Sequence, residues 1–256
     1  MAQRQLIENL RRQMRVAEQA RPAGGEAARA GGAEGRVSLG VAALDRLFPG
    51  QGLPRGALVE WLAEPGGGAE TLALHAARAA LQATGGGLVV IDAAGDFYVP
   101  AAVRQGIAHS QLILIRPPTP ADLLWACEQA LRCRGVGAVL CGIDRLDDRT
   151  FRRLQLAAEA GAGRGGLLRP VCSRREATWA DVRFLVEPRT APPGSRGRWL
   201  EVRIERCRGG FEQRSATLEI DDETGDVRLV SELAFATAVR GTPRTEGERC
   251  SHGAAP

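Results

Sequence analysis

The residues most able to do chemistry lie in one stretch, residues 58–74, which reads L-V-E-W-L-A-E-P-G-G-G-A-E-T-L-A-L. An apolar run ends in a proline and three glycines, and a helical pattern follows at once. The order of strand, glycine-rich loop and helix cradles nucleotide phosphates, because bare backbone N–H groups and the positive end of a helix face the anion. The stretch therefore predicts a phosphate loop at Gly66, Gly67 and Gly68.

The side chains that a working phosphate loop needs are missing from this one. A lysine and then a Ser or Thr hydroxyl should follow the loop, but these positions hold Ala69 and Glu70. Thr71 offers a hydroxyl one residue late, and one step along a helix turns a side chain about 100° away. All 34 basic residues of the chain are arginine, so it has no lysine.

We therefore expect no cation at this loop, and two alternatives stay open. The glycine N–H groups either bind ATP without hydrolysis or form a tight strand-to-helix turn that has no ligand. We favour the turn, because an acid has replaced the hydroxyl. We accordingly expect no cofactor.

Composition bounds the class of protein. The chain has 256 residues, 44% apolar and 25% charged, which is typical of a globular domain with extensions. It has no run of about 18 apolar residues, so we expect no contact with a membrane. Its six cysteines form no C-x-x-C pair, which predicts reduced core thiols and a cytoplasmic protein. Its three histidines are scattered, so we expect no metal site.

The charge is unevenly placed along the chain. Residues 145–214 hold 16 arginines against 9 acidic residues, and the remainder holds 18 against 21. The basic part predicts contact with DNA or an acidic partner, while a solvated arginine surface explains the excess equally well. Arg149, Arg152 and Arg153 are the candidates for DNA contact.

The chain divides into three parts. Leu6, Leu10 and Met14 fall on one side of a predicted amphipathic helix, and a Gly/Ala-rich linker follows, so residues 1–36 form a tethered helix. Residues 37–231 form the core, and residues 232–256 are predicted to be a disordered tail.

The core alternates strands with helices, and each strand is apolar throughout. This predicts an α/β fold with a mostly parallel sheet that helices cover on both faces. After residue 166 the pattern changes to strands alone, which we expect to extend the same sheet with antiparallel strands. The predicted helices are 39–48, 71–82, 99–106, 120–133 and 148–160. The predicted strands are 58–62, 88–92, 112–115, 138–143, 167–172, 182–186, 199–207, 216–220 and 227–230.

The core resembles the RecA-type recombinases, and its short degenerate form resembles the bacterial ImuA proteins. The segments that carry the resemblance are L-G-V-A-A-L-D at 39–45, G-L-P-R-G at 52–56, L-V-E at 58–60, I-D-A at 91–93 and L-L-R-P at 167–170. The resemblance covers residues 37–230 and implies a RecA-like fold.

Two further positions depart from the RecA-type pattern. The resemblance implies a water-activating glutamate after Ile91-Asp92-Ala93, where this chain has Ala94. It also implies an Mg²⁺-associated aspartate at the end of the strand at 138–143, where Gly142 and Ile143 stand and Asp144 comes one residue late. Phosphoryl transfer depends on positioning and charge neutralisation, so we expect no ATP hydrolysis and no catalytic residue.

The resemblance also implies a function. ImuA-like proteins are RecA-related accessory factors of damage-induced (SOS) translesion DNA synthesis and mutagenesis. They act with RecA, with an ImuB-type inactive Y-family polymerase and with an error-prone replicative polymerase. Leu6, Leu10 and Met14, together with Arg206 and Arg208, are then candidates for a partner or subunit interface. The alternatives are a DNA-binding recombinase-like protein and a divergent ATPase that uses Thr71, Asp92 and Asp144.

Overall fold

The computed structural model describes residues 35–230 apart from 194, 196 and 211, together with Glu8 and Arg12. The predicted interface residues Leu6, Leu10 and Met14 and the predicted tail at 232–256 lie outside the described residues. Among the helices that are described, none has the length and apolarity needed to cross a membrane.

Five helices and eleven strands alternate along the described chain. The α-helices are α1 (Ala42–Asp45), α2 (Ala69–Thr84), α3 (Val99–Arg104), α4 (Pro120–Arg132) and α5 (Asp148–Gly161). The strands are β1 (Arg36–Val37), β2 (Leu53–Pro54), β3 (Leu58–Ala63), β4 (Gly87–Ile91), β5 (Leu112–Ile115), β6 (Val136–Gly142), β7 (Arg164–Pro170), β8 (Val182–Arg189), β9 (Gly197–Cys207), β10 (Ser215–Asp221) and β11 (Val227–Leu229).

Nine of the strands form one sheet in the order β11-β10-β9-β8-β3-β7-β6-β4-β5. The six strands from β8 to β5 in this order are parallel to one another. β9 pairs antiparallel with β8, and β10 and β11 continue the antiparallel pairing. Helices α1, α2 and α3 pack on one face, around Trp61 and Phe184, and α4 and α5 pack on the other, around Phe151. The predicted α/β architecture is therefore confirmed.

The prediction for the first two strands after residue 166 was wrong, because β7 and β8 are parallel. β3 pairs with β7 on one side and with β8 on the other, in the same direction. Residues 171–181 connect β7 to β8. They run from the edge where the parallel strands end (the carboxyl edge) back to the edge where they begin (the amino edge), so that β8 starts beside Leu58. That return segment contains only a 3-10 helix, Val171–Arg175, so no helical pattern marked the crossover.

The predicted start of α4 is confirmed, and the helix at 39–48 is shorter than predicted. Thr119 caps α4, since its hydroxyl accepts a hydrogen bond from the Asp122 amide at 3.2 Å. Only Ala42–Asp45 is α-helical in the earlier segment. Gly40 before it has a φ of 76°, and Asp45 accepts hydrogen bonds from Ser38 and Leu39, which fix a looped approach instead.

A buried ion network fastens the middle of the sheet. Glu60 lies on the central strand β3 with a fully buried carboxylate. It accepts hydrogen bonds from Arg169 on β7, at 2.7 Å, and from Arg183 on β8, at 2.5 and 3.1 Å. Thr178, in the return segment, donates to the same carboxylate at 2.8 Å. Because a buried charge is tolerated only when it is paired and hydrogen-bonded, these three strands depend on one another.

The network also holds the return segment. Arg183 donates to the carbonyl oxygens of Arg174 and Glu176, and Arg169 donates to the Glu176 carboxylate at 2.6 Å. Arg169 reaches the Asp144 carbonyl as well, at 3.2 Å. The connection from β7 to β8 is thereby anchored to the core although it has little regular structure.

We predict that Glu60→Gln destabilises the protein by about 3–5 kcal/mol, because it leaves two buried guanidinium groups without their shared counter-ion. Urea denaturation followed by circular dichroism measures this loss. Arg198→Met is the control, because Arg198 and Asp222 form a pair with both side chains about half exposed, and such pairs contribute about 0–1 kcal/mol. A loss below about 1 kcal/mol for Glu60→Gln contradicts the prediction.

Candidate functional site

The glycine loop has the predicted position between a strand and a helix. β3 ends at Ala63, and the Gly67 amide donates to the Glu64 carbonyl at 2.8 Å, which closes a tight turn. Gly66 and Gly68 adopt φ values of 74° and 91°, a region that glycine enters without strain. Helix α2 begins directly afterwards, so the architecture of a phosphate loop is present.

The loop is covered from the side by strand β9. A Cβ atom built on Gly68 would lie 2.5 Å from Cδ1 of Leu200, so the loop backbone touches this leucine directly. Gly67 and Gly68 are buried. The glycine at 68 is therefore required by packing against β9, whether or not a ligand is bound.

A cation does reach the loop, contrary to the prediction of none. Arg198 on β9 donates through Nη1 to the Gly66 carbonyl at 3.4 Å. The same guanidinium pairs through Nε with Asp222 at 2.8 Å, so part of its charge is already neutralised. No sequence spacing indicated this contact, because 132 residues separate Arg198 from Gly66.

The three positions after the loop differ in burial. Ala69 is 2% exposed, so the position of the phosphate-binding lysine holds a buried methyl group. Glu70 is exposed and Thr71 is half-buried. The phosphate-loop pattern G-x-x-x-x-G also places a first glycine five residues before Gly68, where Ala63 stands. Sequence reasoning missed this further departure, although counting back from Gly68 would have found it.

The carboxylate of Asp92, directly after β4, is held in structural hydrogen bonds and an ion pair. Its carboxylate accepts hydrogen bonds from the amides of Gly95, at 2.7 Å, and Asp96, at 3.1 Å, and pairs with Arg116 at 3.3 Å. These contacts shape the turn that follows the strand. Ala94, in the position of the catalytic glutamate, is exposed and has no group that could activate water.

The end of β6 also departs from an Mg²⁺ site. Ile143 is buried and Gly142 and Asp144 are exposed. The Asp144 carbonyl accepts hydrogen bonds from Arg169 and from Ser173, which fixes this segment to the return connection. Across the part of the chain that the structure describes, no three His, Cys, Asp or Glu side chains come together in a group that could hold a metal ion.

The three arginines predicted to contact DNA have different surroundings on α5. Arg149 is exposed. Arg152 stacks on Trp179, with its guanidinium carbon 4.7 Å from the ring centroid, and Arg153 pairs with Glu128 on α4. Only the first of them presents an uncommitted guanidinium group within the described residues.

Ion pairs engage several of the 16 arginines in residues 145–214, mostly with acidic residues of the same stretch. Acidic partners come from the same antiparallel strands and from the loops around them. The pairs are Arg174–Glu205, Arg189–Glu201, Arg198–Asp222 and Arg203–Glu187. This part of the surface is therefore less positive than its arginine count indicates.

Arg206 lies near the end of β9 and Arg208 follows its last residue. Both are at the amino edge of the parallel strands, the edge opposite the glycine loop. Arg206 is exposed. Arg208 pairs with Asp181 at 3.2 Å and with Glu159 at 3.4 Å. Arg208, Asp181 and Glu159 line a cavity of about 320 Å³, together with apolar side chains.

Asp181 is a half-buried carboxylate at this edge. Burial raises the pKa of Asp181, while a hydrogen bond from the Leu58 amide and the charge of Arg208 oppose that rise. The amide bond is 2.8 Å long. Asp181 thus joins the start of β3 to the end of β9, and the role of Arg206 and Arg208 at an interface stays a prediction.

Comparison with known proteins places these features in a family. The chain is 33% identical to Protein ImuA of Caulobacter vibrioides (strain NA1000 / CB15N) over 197 residues, which cover 68% of this chain and 79% of that protein. It is 30% identical to Protein RecA of Rhodopirellula baltica over 104 residues, or 41% of this chain and 28% of that RecA. No protein-family model matches the chain.

A solved structure agrees with the fold. The crystal structure of the RadB recombinase superposes with a TM-score of 0.59 and 19% identity, covering 76% of this chain and 99% of that one. At that identity the likeness shows the fold alone, which is RecA-like. Together with the extent of the match to ImuA, these findings show that the chain belongs to the ImuA family of RecA-related proteins.

Proposed function

We propose that this protein is a non-catalytic accessory factor of damage-induced (SOS) translesion DNA synthesis and mutagenesis. It acts by contact with RecA, with an ImuB-type inactive polymerase homologue, with an error-prone replicative polymerase, or with a combination of them. The observation that carries the proposal is the replacement of the phosphate-binding lysine by Ala69, a buried methyl group in a loop that packs on Leu200. Membership of the ImuA family supports the same pathway.

The chemistry of the loop argues against catalysis. Phosphoryl transfer requires cations that neutralise the developing charge, a positioned Mg²⁺ and an oriented nucleophile. The lysine and hydroxyl positions hold Ala69 and Glu70, and the base position holds Ala94. Arg198 supplies charge near the loop but hydrogen-bonds to its carbonyl and to Asp222. The surfaces of the protein therefore carry the function.

The N-terminal segment supplies a mechanism. Leu6, Leu10 and Met14 form an apolar stripe in the sequence, and a stripe of this kind is stabilised when it covers an apolar groove on another protein. We propose that it docks on a RecA protomer. A core with no nucleotide chemistry then ends or destabilises the RecA filament at that point.

The two alternatives have weaker support. A divergent ATPase would use Thr71, Asp92 and Asp144, but Asp92 already accepts hydrogen bonds from two amides of its own turn and from Arg116. A DNA-binding protein would use the arginines of residues 145–214, but many of them pair with acidic residues. Of the three arginines predicted to contact DNA, exposed Arg149 still favours this alternative.

We predict no measurable ATP hydrolysis. ATP at about 1 mM with Mg²⁺ is expected to raise the melting temperature by no more than about 1 °C. A ligand whose Kd is about 1 mM or higher adds little to the free energy of unfolding at that concentration. Phosphate release and thermal unfolding measure these two effects, with RecA as the positive control. Magnesium-dependent phosphate release that Thr71→Val and Asp144→Asn abolish establishes the divergent ATPase and overturns the proposal.

We predict that the triple variant Leu6→Ala, Leu10→Ala and Met14→Ala weakens RecA binding at least about tenfold, since each truncation removes buried apolar area worth about 1 kcal/mol or more. Pull-down followed by titration against purified RecA measures the change. The matched control is the triple variant Arg11→Ala, Arg12→Ala and Arg15→Ala on the predicted polar face. Equal binding by the native chain and by a chain without residues 1–20 rules out the docking of this segment.

We predict a shallow salt dependence for any DNA binding. The logarithm of the binding constant falls by about 0.9 per neutralised phosphate for each tenfold rise in salt, and the paired arginines leave few free contacts. The expected slope is therefore smaller than about 3, measured by fluorescence anisotropy between about 50 and 200 mM salt. A slope of about 6 or more that Arg149→Ala reduces by about 1 favours the DNA-binding alternative.

A further inference from the structure

The cavity at the amino edge of the sheet has an apolar floor. Its volume is about 320 Å³, near the lower limit of ligand pockets, and it suits one or two large apolar side chains. The buried part of its lining, in which no residue is more than 8% exposed, consists of Phe48, Leu53, Ala57, Val182 and Cys207. An apolar side chain that fills the cavity therefore removes further apolar area from water.

The charged part of the lining is more basic than acidic. It consists of three arginines and two acids, namely Arg36, Arg55, Arg208, Glu159 and Asp181. Both acids pair with Arg208. Arg36 and Arg55 each donate to one backbone carbonyl, at 3.0 and 3.4 Å, and they pair with no carboxylate among the described residues. An occupant that combines apolar side chains with a carboxylate complements this surface.

Strand β11 runs toward the same edge. β9 ends at the amino edge beside the first residue of β8, and β10 and β11 follow, each antiparallel to the strand before it. Val230, directly after β11, donates its amide to the Thr217 carbonyl at 2.9 Å. Continued pairing would move each later residue along β10 toward its start at Ser215. The direction of β11 therefore leads to the edge that holds the cavity.

A short series of contacts connects the start of β10 with the cavity. Arg214, directly before β10, donates to the Leu47 carbonyl at 2.9 Å. Leu47 is followed by Phe48, which forms part of the cavity floor. Helix α1, just before these two residues, packs against both β10 and β11. A segment that follows β10 as far as Arg214 thus arrives beside the cavity.

We propose that the segment directly after Val230 docks on this surface, with Phe235 in the cavity. Residues 231–236 read S-E-L-A-F-A, so they combine one carboxylate with two large apolar side chains. The register of β10 with β11 pairs Leu218 with Leu229, and its extension brings Leu233 opposite Arg214.

The alternation of side chains along a strand supports the same arrangement. Leu218 belongs to the core on the α1 face of the sheet, as do the apolar residues of the cavity floor. Because side chains two residues apart share a face, the extended register puts Leu233 and Phe235 on that face with Leu229. Glu232 brings its carboxylate to the basic edge.

The docking gives the cavity an occupant from the same chain. A segment tethered to its site acts at an effective concentration of about millimolar, so it fills the cavity unless a competitor binds more tightly. An acidic and apolar segment of a partner protein is a competitor of the right chemistry. The inference concerns the free protein and does not rest on the function proposed above.

Thiol labelling at Cys207 tests the docking, because this free cysteine lines the cavity. Labelling of the full chain by N-ethylmaleimide, read by peptide mass spectrometry, is compared between the native chain and Phe235→Ala. We expect the Cys207 rate to rise at least about fivefold, since burial of an aromatic side chain shifts an equilibrium by about tenfold or more. Exposed Cys172 and fully buried Cys127 should keep their native rates. Thr237→Ala is the matched control and should label as the native chain does.

Nuclear Overhauser contacts test the native chain directly, even if Phe235→Ala does not fold. The ring protons of Phe235 should show contacts with methyl groups of Leu53 or Val182 on the cavity floor. These contacts together with faster Cys207 labelling support the proposal. Their absence overturns it, as does an equal Cys207 rate in the native chain and in Phe235→Ala. A Cys207 rate that rises only when residues 1–20 are removed also overturns it, because that result assigns the cavity to the other end of the chain.

Discussion

One carboxylate, that of Glu60, joins the three strands at the middle of the sheet. It lies on β3 and receives hydrogen bonds from the guanidinium groups of β7 and β8, the two strands that flank it. The group is fully buried, so separating the strands would leave a buried charge unpaired. The same guanidinium groups hold the carbonyls of the return segment. The order of the central strands and the path between two of them therefore depend on a single side chain.

Strand β3 carries Glu60 and also leads into the glycine loop. The two sites differ in how their charged side chains are arranged. Around Glu60, the buried charges are paired. At the loop, the positions that bind phosphate and metal hold Ala69, Glu70 and Ala94, and Leu200 packs against Gly68. In our proposal the loop serves as a tight strand-to-helix turn. Our proposal is that this RecA-like fold acts through its surfaces and not through nucleotide chemistry.

Local features of this structure were predictable from the sequence, and long-range features were not. The strand-loop-helix order at Gly66–Gly68 and the Thr119 cap follow from spacing and turn chemistry over a few residues. The parallel direction of β7 and β8 and the contact of Arg198 with the loop depend on residues far apart in sequence. Glu60 carried a local signal that our sequence analysis did not use, because a carboxylate inside an apolar strand requires a buried partner.

The central claim is that the loop has a structural role and no chemical one. Damage-induced mutation frequency in cells that lack the native gene tests it most directly, with the double variant Glu70→Gln and Thr71→Val as the only copy. This variant removes the charge and the hydroxyl nearest the loop while keeping the size of both side chains. We predict that it restores the mutation frequency of the native protein. A frequency as low as that of cells with no copy would contradict the account.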